Sequence, residues 1–574
     1  HSPCQNACFV RLIGEGIEGY SNKILKVDLT SGAIEVEEPP AHFYRRYLGG
    51  QGFIAYYLLK ELPKNADPLG PENLLIFANG TFTGVPFAGS GRSAVGGKSP
   101  LTGGFGEADA GGYFGPELKR AGFDAIVIRG RAPEPVTLWI HDGQVEIRPA
   151  GHLWGKLVLE THQALQTELD EHVRTAIIGP AGEKQVRFAC VMHDVLHAAG
   201  RTGLGAVMGS KNLKAVAARG RQKVEAHDPE GVKRLAIWMR DHWEEKSNNM
   251  HLYGTAGGVN GLNEATVLPT RNFQDGQFEG ANKLSGQTMR ETILIEEDGC
   301  FACTIRCKRV VRVSNERFVV DPGYGGPEYE TIGAVGSLCG VDDLEAVAKA
   351  NELCNAYSLD SISTGAMVAF AMECFENELL NLDETHGLNL RFGNADAMVE
   401  MIRQIGEREG LGDILAEGPN GAIQRIGPEA RKFAIEVKNQ PFPMHEPRAR
   451  HGQALGYAVS PTGADHNHNI WDHSVAGDPP GEGAQELGIY EPIPPTVLNA
   501  QKVRAYIYNM QWASLHNFLG NCMFLPWNRD QLIELVRAVT GWQSNTWELM
   551  KTVERAITMA RLFNLREGLT RADD

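Results

Sequence analysis

Three cysteines fall within eight residues, Cys300-Phe-Ala-Cys303-Thr-Ile-Arg-Cys307. This spacing places three thiolates on one short, turn-rich segment, close enough to face a single metal group. A [4Fe-4S] cube needs four soft thiolates, and the fourth often comes from far along the chain. Cys522, in Leu519-Gly520-Asn521-Cys522, is the candidate. A structural zinc usually pairs two such knuckles, and no second one follows. The fold is therefore expected to bring residue 522 back onto residues 300–307. Cys190, Cys339, Cys354 and Cys374 read as small buried apolar residues. Cys4 and Cys8 have two readings: ligands from an iron–sulfur region whose remainder lies upstream or is missing, or free thiols of an irregular tail. Ten cysteines in 574 residues are too few for a disulfide scaffold and point to a reducing, cytoplasmic setting.

A chain of 574 residues exceeds one ordinary core and implies several domains. The net charge of −16 and the absence of a basic face argue against nucleic acid. No apolar run approaches the ~20 residues of a membrane span, and no signal peptide is visible. The first residue is His rather than Met, as expected of a processed chain or part of a longer one. Short apolar runs at 24–28, 74–78, 125–128 and 136–140, bounded by Gly and Pro, predict strands, with a helix at 53–62. Helical periodicity marks 228–246, 344–357, 364–376, 395–409, 495–516, 529–540 and 546–562. The expected division is an extension (1–20), a sheet-rich domain (21–225), a helical domain with three of the cysteines (226–430) and a second helical domain (431–574). No internal repeat is evident.

Several glycine-rich loops stand out: 89–92 followed by 98–104, 110–115 and 198–205. None is a Walker loop or a clean dinucleotide fingerprint, which disfavours a nicotinamide dehydrogenase. With Arg92 and Arg201 inside them, they suit backbone cradling of a large phosphorylated ligand. Glu328-Tyr329-Glu330 follows Gly-Gly-Pro, and from the residues alone these acids read as helix-start residues. Asp465-His466-Asn467-His468-Asn469 lies in an irregular stretch and suits a ligand site.

Together these motifs resemble the aldehyde:ferredoxin oxidoreductase family of tungsten enzymes. The likeness runs from about residue 21 to 568 through KSPLTGG (98–104), GGYFG (111–115), AGFDAIVIRG (121–130), AAGRTGLGAVMGSKNLKA (198–215), CFACTIRC (300–307), GPEYE (326–330), DSISTG (360–365) and RLFNLREG (561–568). The resemblance implies an α+β fold, a sheet-rich cofactor base followed by two mainly helical domains. It implies two pyranopterins holding one tungsten or molybdenum. A magnesium ion would sit between the pterin phosphates, reached by the carbonyls of Asp109 and Ala198. Arg92, Gly111, Gly112, Gly200, Arg201, Asn355, Asp360, Asn517 and Asn521 match cofactor-binding positions. Cys300, Cys303, Cys307 and Cys522 match the cluster ligands, and Glu330 and His466 the two catalytic polar residues. Departures exist. Asn355 and Asn517 stand where the family's pterin loops usually begin with Asp, and Asp109 stands where Asn is usual. Relatives also continue beyond residue 568 with a further tail, so part of the substrate channel is expected to be missing, open or supplied by a partner.

The implied reaction is oxidation of a small aldehyde to the acid, or the reverse. Electrons would leave through the cluster to ferredoxin or an iron–sulfur subunit, within a homodimer or hetero-oligomer. His466 would stabilise negative charge, and Glu330, with a burial-raised pKa, would take a proton. The alternatives are an aromatic-ring reductase subunit resembling class II benzoyl-CoA reductase, and a non-catalytic subunit for assembly or electron wiring.

Overall fold

The computed structural model describes residues 16–481, 484–485 and 488–574. Cys4 and Cys8 lie outside the described residues. Two six-stranded sheets fill residues 24–219, and a mainly helical remainder follows, as the α+β expectation requires.

The first sheet holds β1 (Ile24–Asp28), β2 (Ala33–Glu37), β3 (Leu75–Asn79), β4 (Ser93–Lys98), β5 (Phe105–Ala110) and β6 (Ala125–Arg129), in the order β2-β1-β6-β3-β4-β5. The second holds β7 (Val136–His141), β8 (Gln144–Pro149), β9 (Arg174–Ile177), β10 (Val191–His193), β11 (His197–Ala199) and β12 (Leu213–Arg219), in the order β8-β7-β12-β9-β10-β11. Both follow one plan. The first strand pairs in parallel with the last, and every other neighbouring pair is antiparallel. The structure thus corrects the expectation of no internal repeat. A strand plan needs only apolar runs and turns at matching places, so LIFAN in β3 and RTAI in β9 fill equivalent positions without looking alike.

Side chains along β1 point alternately to the two faces. Leu25 and Val27 join Leu138, Ile140, Val216 and Ala218 in a core between the sheets. Ile24 faces the other way, toward a layer that includes the helix Gln51–Glu61 and residues of the C-terminal helices Arg529–Thr540 and Thr546–Arg566. Every residue of β3 is buried, the mark of a strand covered on both faces. The edge strands β5 and β11 lie against each other. A glycine-rich turn and a short helix follow each: Phe114–Arg120 after β5 and Leu204–Ser210 after β11. The plan therefore delivers two similar loops to one place.

The helix Leu344–Tyr357 starts at Asp343, whose side chain accepts from the N–H groups of Glu345 and Ala346, and stops at Ser358 in the left-handed region. Asp360 then caps Ser361–Glu376. With Ala395–Glu407 these helices build the second large core. Among the described residues no helix is long and apolar enough to cross a membrane.

Candidate active site

The cysteine segment turns tightly. Cys303 N–H donates to the Cys300 carbonyl, and Ala302 and Arg306 both take positive φ, at 53° and 51°. Its position is set from the base domain, because Phe301 N–H donates to the Gly112 carbonyl at 3.1 Å. Cys522 comes from the loop after the helix Ala500–Leu519, which ends at Gly520 with φ 69°. Its N–H donates to the Gly89 carbonyl at 3.0 Å. Both segments are thus docked on glycine loops of the base. All four sulfurs are free thiols. Burial raises the thiol pKa of Cys300, Cys303 and Cys307, and the neighbouring sulfurs, Cys522 among them, raise it further. The structure brings the four cysteines together across more than 200 residues of chain.

Arg92 ties this sulfur group to β5. Its buried guanidinium is held charged, against the cost of burial, by Cys522, Asp109, Cys300 and Glu107. Glu107 and Asp109 share one face of β5, and none of their four carboxylate oxygens has a hydrogen-bond partner among the described residues. Burial raises both acids above the ordinary carboxylate range, and each acid's proximity to the other adds to the rise at Glu107. His468 Nε2 stands 3.5 Å from Glu107, and its Nδ1 bonds Asp465. Burial alone would favour the neutral ring, but Asp465 and Glu107 hold His468 up at about 10, as the imidazolium. Asn517 meets the same ring at Nε2.

On the other side, Gly200, Arg201 and Asp360 converge: Arg201 Nε lies 3.4 Å from Asp360, and Arg201 also donates to the Pro441 carbonyl. Arg201 Nε, despite that ion pair, and Nη1 make no hydrogen bond among the described residues. Ala198 lies on β11, the counterpart of Asp109 on β5. Asn521 is fully buried with its Oδ1 unpartnered, while its amide donates toward His516. Asn355 is not brought into either group; its amide donates to the Tyr324 carbonyl from within the helix. At Gly111 and Gly112 a Cβ would stand 2.7 Å from Cys300 Sγ and from the His197 ring, so only glycine leaves these loops room.

Glu330 sits in the first turn of the helix Tyr329–Val335, but it does not serve that helix end. Its Oε2 accepts the Met444 N–H at 2.9 Å, and its Oε1 faces His445 Nε2 at 3.0 Å and His466 Nε2 at 3.5 Å. The helix-start reading of these acids is therefore replaced: Glu328, at the cap position, makes no side-chain cap and pairs with Lys308. The expected burial-raised pKa of Glu330 is also reversed. Burial does push it up, but His466, His445 and the Met444 N–H outweigh that and bring it down to about 2. His445, pushed down to about 4 mainly by burial, is a neutral ring facing this carboxylate at 3.0 Å. Sequence reasoning missed His445. Its only signal was a histidine between prolines in the irregular stretch before 466. Tyr329 and Tyr457 fix its backbone through hydroxyl bonds to the Met444 and His445 carbonyls, and Trp471 packs edge-on against it.

Residues 24–220 match the family model described as "Aldehyde ferredoxin oxidoreductase, N-terminal domain", and residues 230–574 the one for "domains 2 & 3". The chain belongs to the aldehyde ferredoxin oxidoreductase family. It is an oxidoreductase, 41% identical over 566 residues to the tungsten-containing aldehyde ferredoxin oxidoreductase of Pyrococcus abyssi, covering 96% of this chain and 90% of that protein. It is 34% identical to the WOR-like subunit of an aliphatic sulfonate oxidoreductase from Pyrococcus furiosus, over 78% of this chain and 75% of that one. Among solved structures it resembles the active-site complex BamBC of benzoyl coenzyme A reductase bound to 1,5-dienoyl-CoA. There the TM-score is 0.81 and the identity 26%, across 97% of this chain and 91% of that one.

The family implies a metal–pterin group and a cluster, and the residues present fit both. Four thiols from distant segments supply the soft donor set of a cluster. Unpartnered buried polar atoms on Glu107, Asp109, Arg201 and Asn521 surround glycine loops with no room for a Cβ, as expected where a large polar ligand completes the hydrogen bonding.

Proposed function

We propose that this enzyme oxidises an aldehyde to the carboxylic acid at a tungsten or molybdenum bis-pyranopterin centre. Electrons pass through a [4Fe-4S] cluster on Cys300, Cys303, Cys307 and Cys522 to ferredoxin or an iron–sulfur subunit. The observation that carries the reading is the meeting of these four cysteines beside Arg92, which couples electrostatically to Cys522 and Cys300 on one side and to Asp109 and Glu107 on the other. Arg92, Gly111, Gly112, Gly200, Arg201, Asp360, Asn517 and Asn521 would hold the two pterins. The main-chain carbonyls of Asp109 and Ala198, at equivalent places in the two sheets, would hold a magnesium ion.

When bound, the metal group supplies the Lewis acid and the two-electron acceptor. The balanced half-reaction converts aldehyde and water into acid, two protons and two electrons. Glu330 is the carboxylate at neutral pH and accepts a proton from water or the hydrated aldehyde. The Met444 N–H pins one of its oxygens and His445 faces the other at 3.0 Å, so the acceptor is pre-oriented. His466, within reach of the same carboxylate, donates toward the carbonyl oxygen as negative charge builds there.

Elemental analysis of anaerobically purified protein, with viologen-linked assays of acetaldehyde and benzaldehyde on the same sample, tests the reading. About one tungsten or molybdenum and about four irons per chain are expected. Absence of both heavy metals refutes it. The likeness to the benzoyl coenzyme A reductase complex favours a second reading, ring reduction. Turnover of benzoyl-CoA without aldehyde oxidation would select that one.

A further inference from the structure

Glu330 Oε1 is buried and makes no hydrogen bond among the described residues, although two imidazole nitrogens stand beside it. His445 Nε2 lies 3.0 Å away and His466 Nε2 3.5 Å away, and the three atoms fall within 4.8 Å of one another. Contacts this short without a hydrogen bond mean that the rings are aimed past the oxygen. Nδ1 of each ring is also buried without a hydrogen bond. Buried polar atoms left in this way call for a partner from outside the chain.

The spacing is that of ligands around one ion. A tetrahedral zinc with bonds of about 2.0–2.1 Å holds its donor atoms about 3.4 Å apart. The two separations at Oε1 bracket that value. The donors are also held in place. Met444 N–H donates to Oε2 at 2.9 Å, which leaves Oε1 as the free lobe of the carboxylate. Trp471 stands at 85° to both rings, with centroids 5.2 Å from His445 and 6.4 Å from His466. Asp465 lies 4.0 Å from His466 Nδ1, a carboxylate behind the ring of the kind that metal-binding histidines use. Glu330 is ionised at neutral pH and His445 is neutral, the forms that donate to a metal. A second trio, Glu107, Asp109 and His468, is equally compact but has no free nitrogen: His468 Nδ1 bonds Asp465 and its Nε2 meets Asn517.

We propose that Glu330, His445 and His466 form a binding site for a divalent ion of the zinc class, and that the ion shuts the enzyme off by occupying the groups that handle the proton. Two imidazoles and one carboxylate suit zinc and disfavour magnesium and calcium, which take oxygen donors. The ion site stands on geometry, whereas the loss of activity rests on the aldehyde-oxidising reading above.

The test adds zinc sulfate anaerobically to metal-loaded enzyme and follows binding by equilibrium dialysis. About one zinc per chain should bind. Its K-edge EXAFS should show nitrogen and oxygen neighbours at about 2.0–2.1 Å and no sulfur shell at about 2.3 Å. Aldehyde oxidation should fall in step with occupancy, return when a chelator removes the zinc, and be untouched by magnesium. His445→Phe should weaken zinc binding by about 100-fold or more, and Glu330→Gln should weaken it too, a readout that needs no turnover. A sulfur shell would put the zinc on the cysteines and overturn the proposal. So would no bound zinc, or an unchanged affinity in both variants. Zinc bound in the expected shell while oxidation continues would refute the shut-off. If no aldehyde is oxidised, the functional reading fails, and dialysis and EXAFS still decide the ion site. If His445→Phe does not accumulate, Glu330→Gln decides.

Discussion

Replacing Glu330 with Gln keeps the shape of the side chain and removes its charge. The protein lowers this carboxyl from 4.5 to about 2, so its environment prefers the ionised form by about 3 kcal/mol, at ~1.4 kcal/mol per unit. That preference comes from His466, His445 and the Met444 N–H, which a neutral amide serves less well. If the same charge accepts the proton in the reaction, its loss should lower kcat by about 100-fold or more. The sign of the pH effect follows. The ionised form's advantage is complete above about 4.5 and disappears as pH falls through 2, so Glu330 contributes no titration limb between pH 5 and 9. The assay is anaerobic, viologen-linked aldehyde oxidation over that range, with metal and iron contents matched between variant and wild type. Near-normal kcat in Glu330→Gln would remove the residue from proton transfer. A wild-type acidic limb near pH 6 that vanished in the variant would show the carboxyl pKa to be raised, contrary to the geometry.

Cys522→Ala should lose the four-iron EPR signal of the reduced protein; an unchanged signal would assign the fourth ligand elsewhere. Gly111→Ala should lower iron content well below that of the wild type, because the added Cβ would meet Cys300 Sγ at 2.7 Å, and full iron occupancy would contradict the close approach. Lys502→Met breaks a pair in which both side chains are fully buried and leaves Asp472 uncompensated. It should cost about 3–5 kcal/mol, read as a lower Tm by calorimetry; an unchanged Tm would show that the pair is dispensable.

Much of the scaffold was legible because periodicity and capping are local. The helices expected at 344–357 and 529–540 occupy Leu344–Tyr357 and Arg529–Thr540, each starting from an Asp or Asn whose side chain caps it. The cysteine motif pointed to a distant fourth sulfur, and Cys522 and Cys300 lie within electrostatic reach of Cys303. What stayed hidden depends on partners remote in sequence. The low pKa of Glu330 needs His445 and His466, each more than 100 residues away. Asn355 had the residue type of a pterin contact, yet its amide is taken by Tyr324. Nothing in the sequence singles out Glu107, and only the fold sets it beside Asp109 and His468.

The repeated strand plan has a consequence for how alike the two sides of the cradle can be. One hairpin-and-helix unit, used twice in line, offers a two-armed ligand two grips of the same geometry and leaves each free to differ in chemistry. They already differ. The first copy presents the carboxylate of Asp109 where the second presents the methyl of Ala198. Two identical arms would thus be held in unequal electrical surroundings.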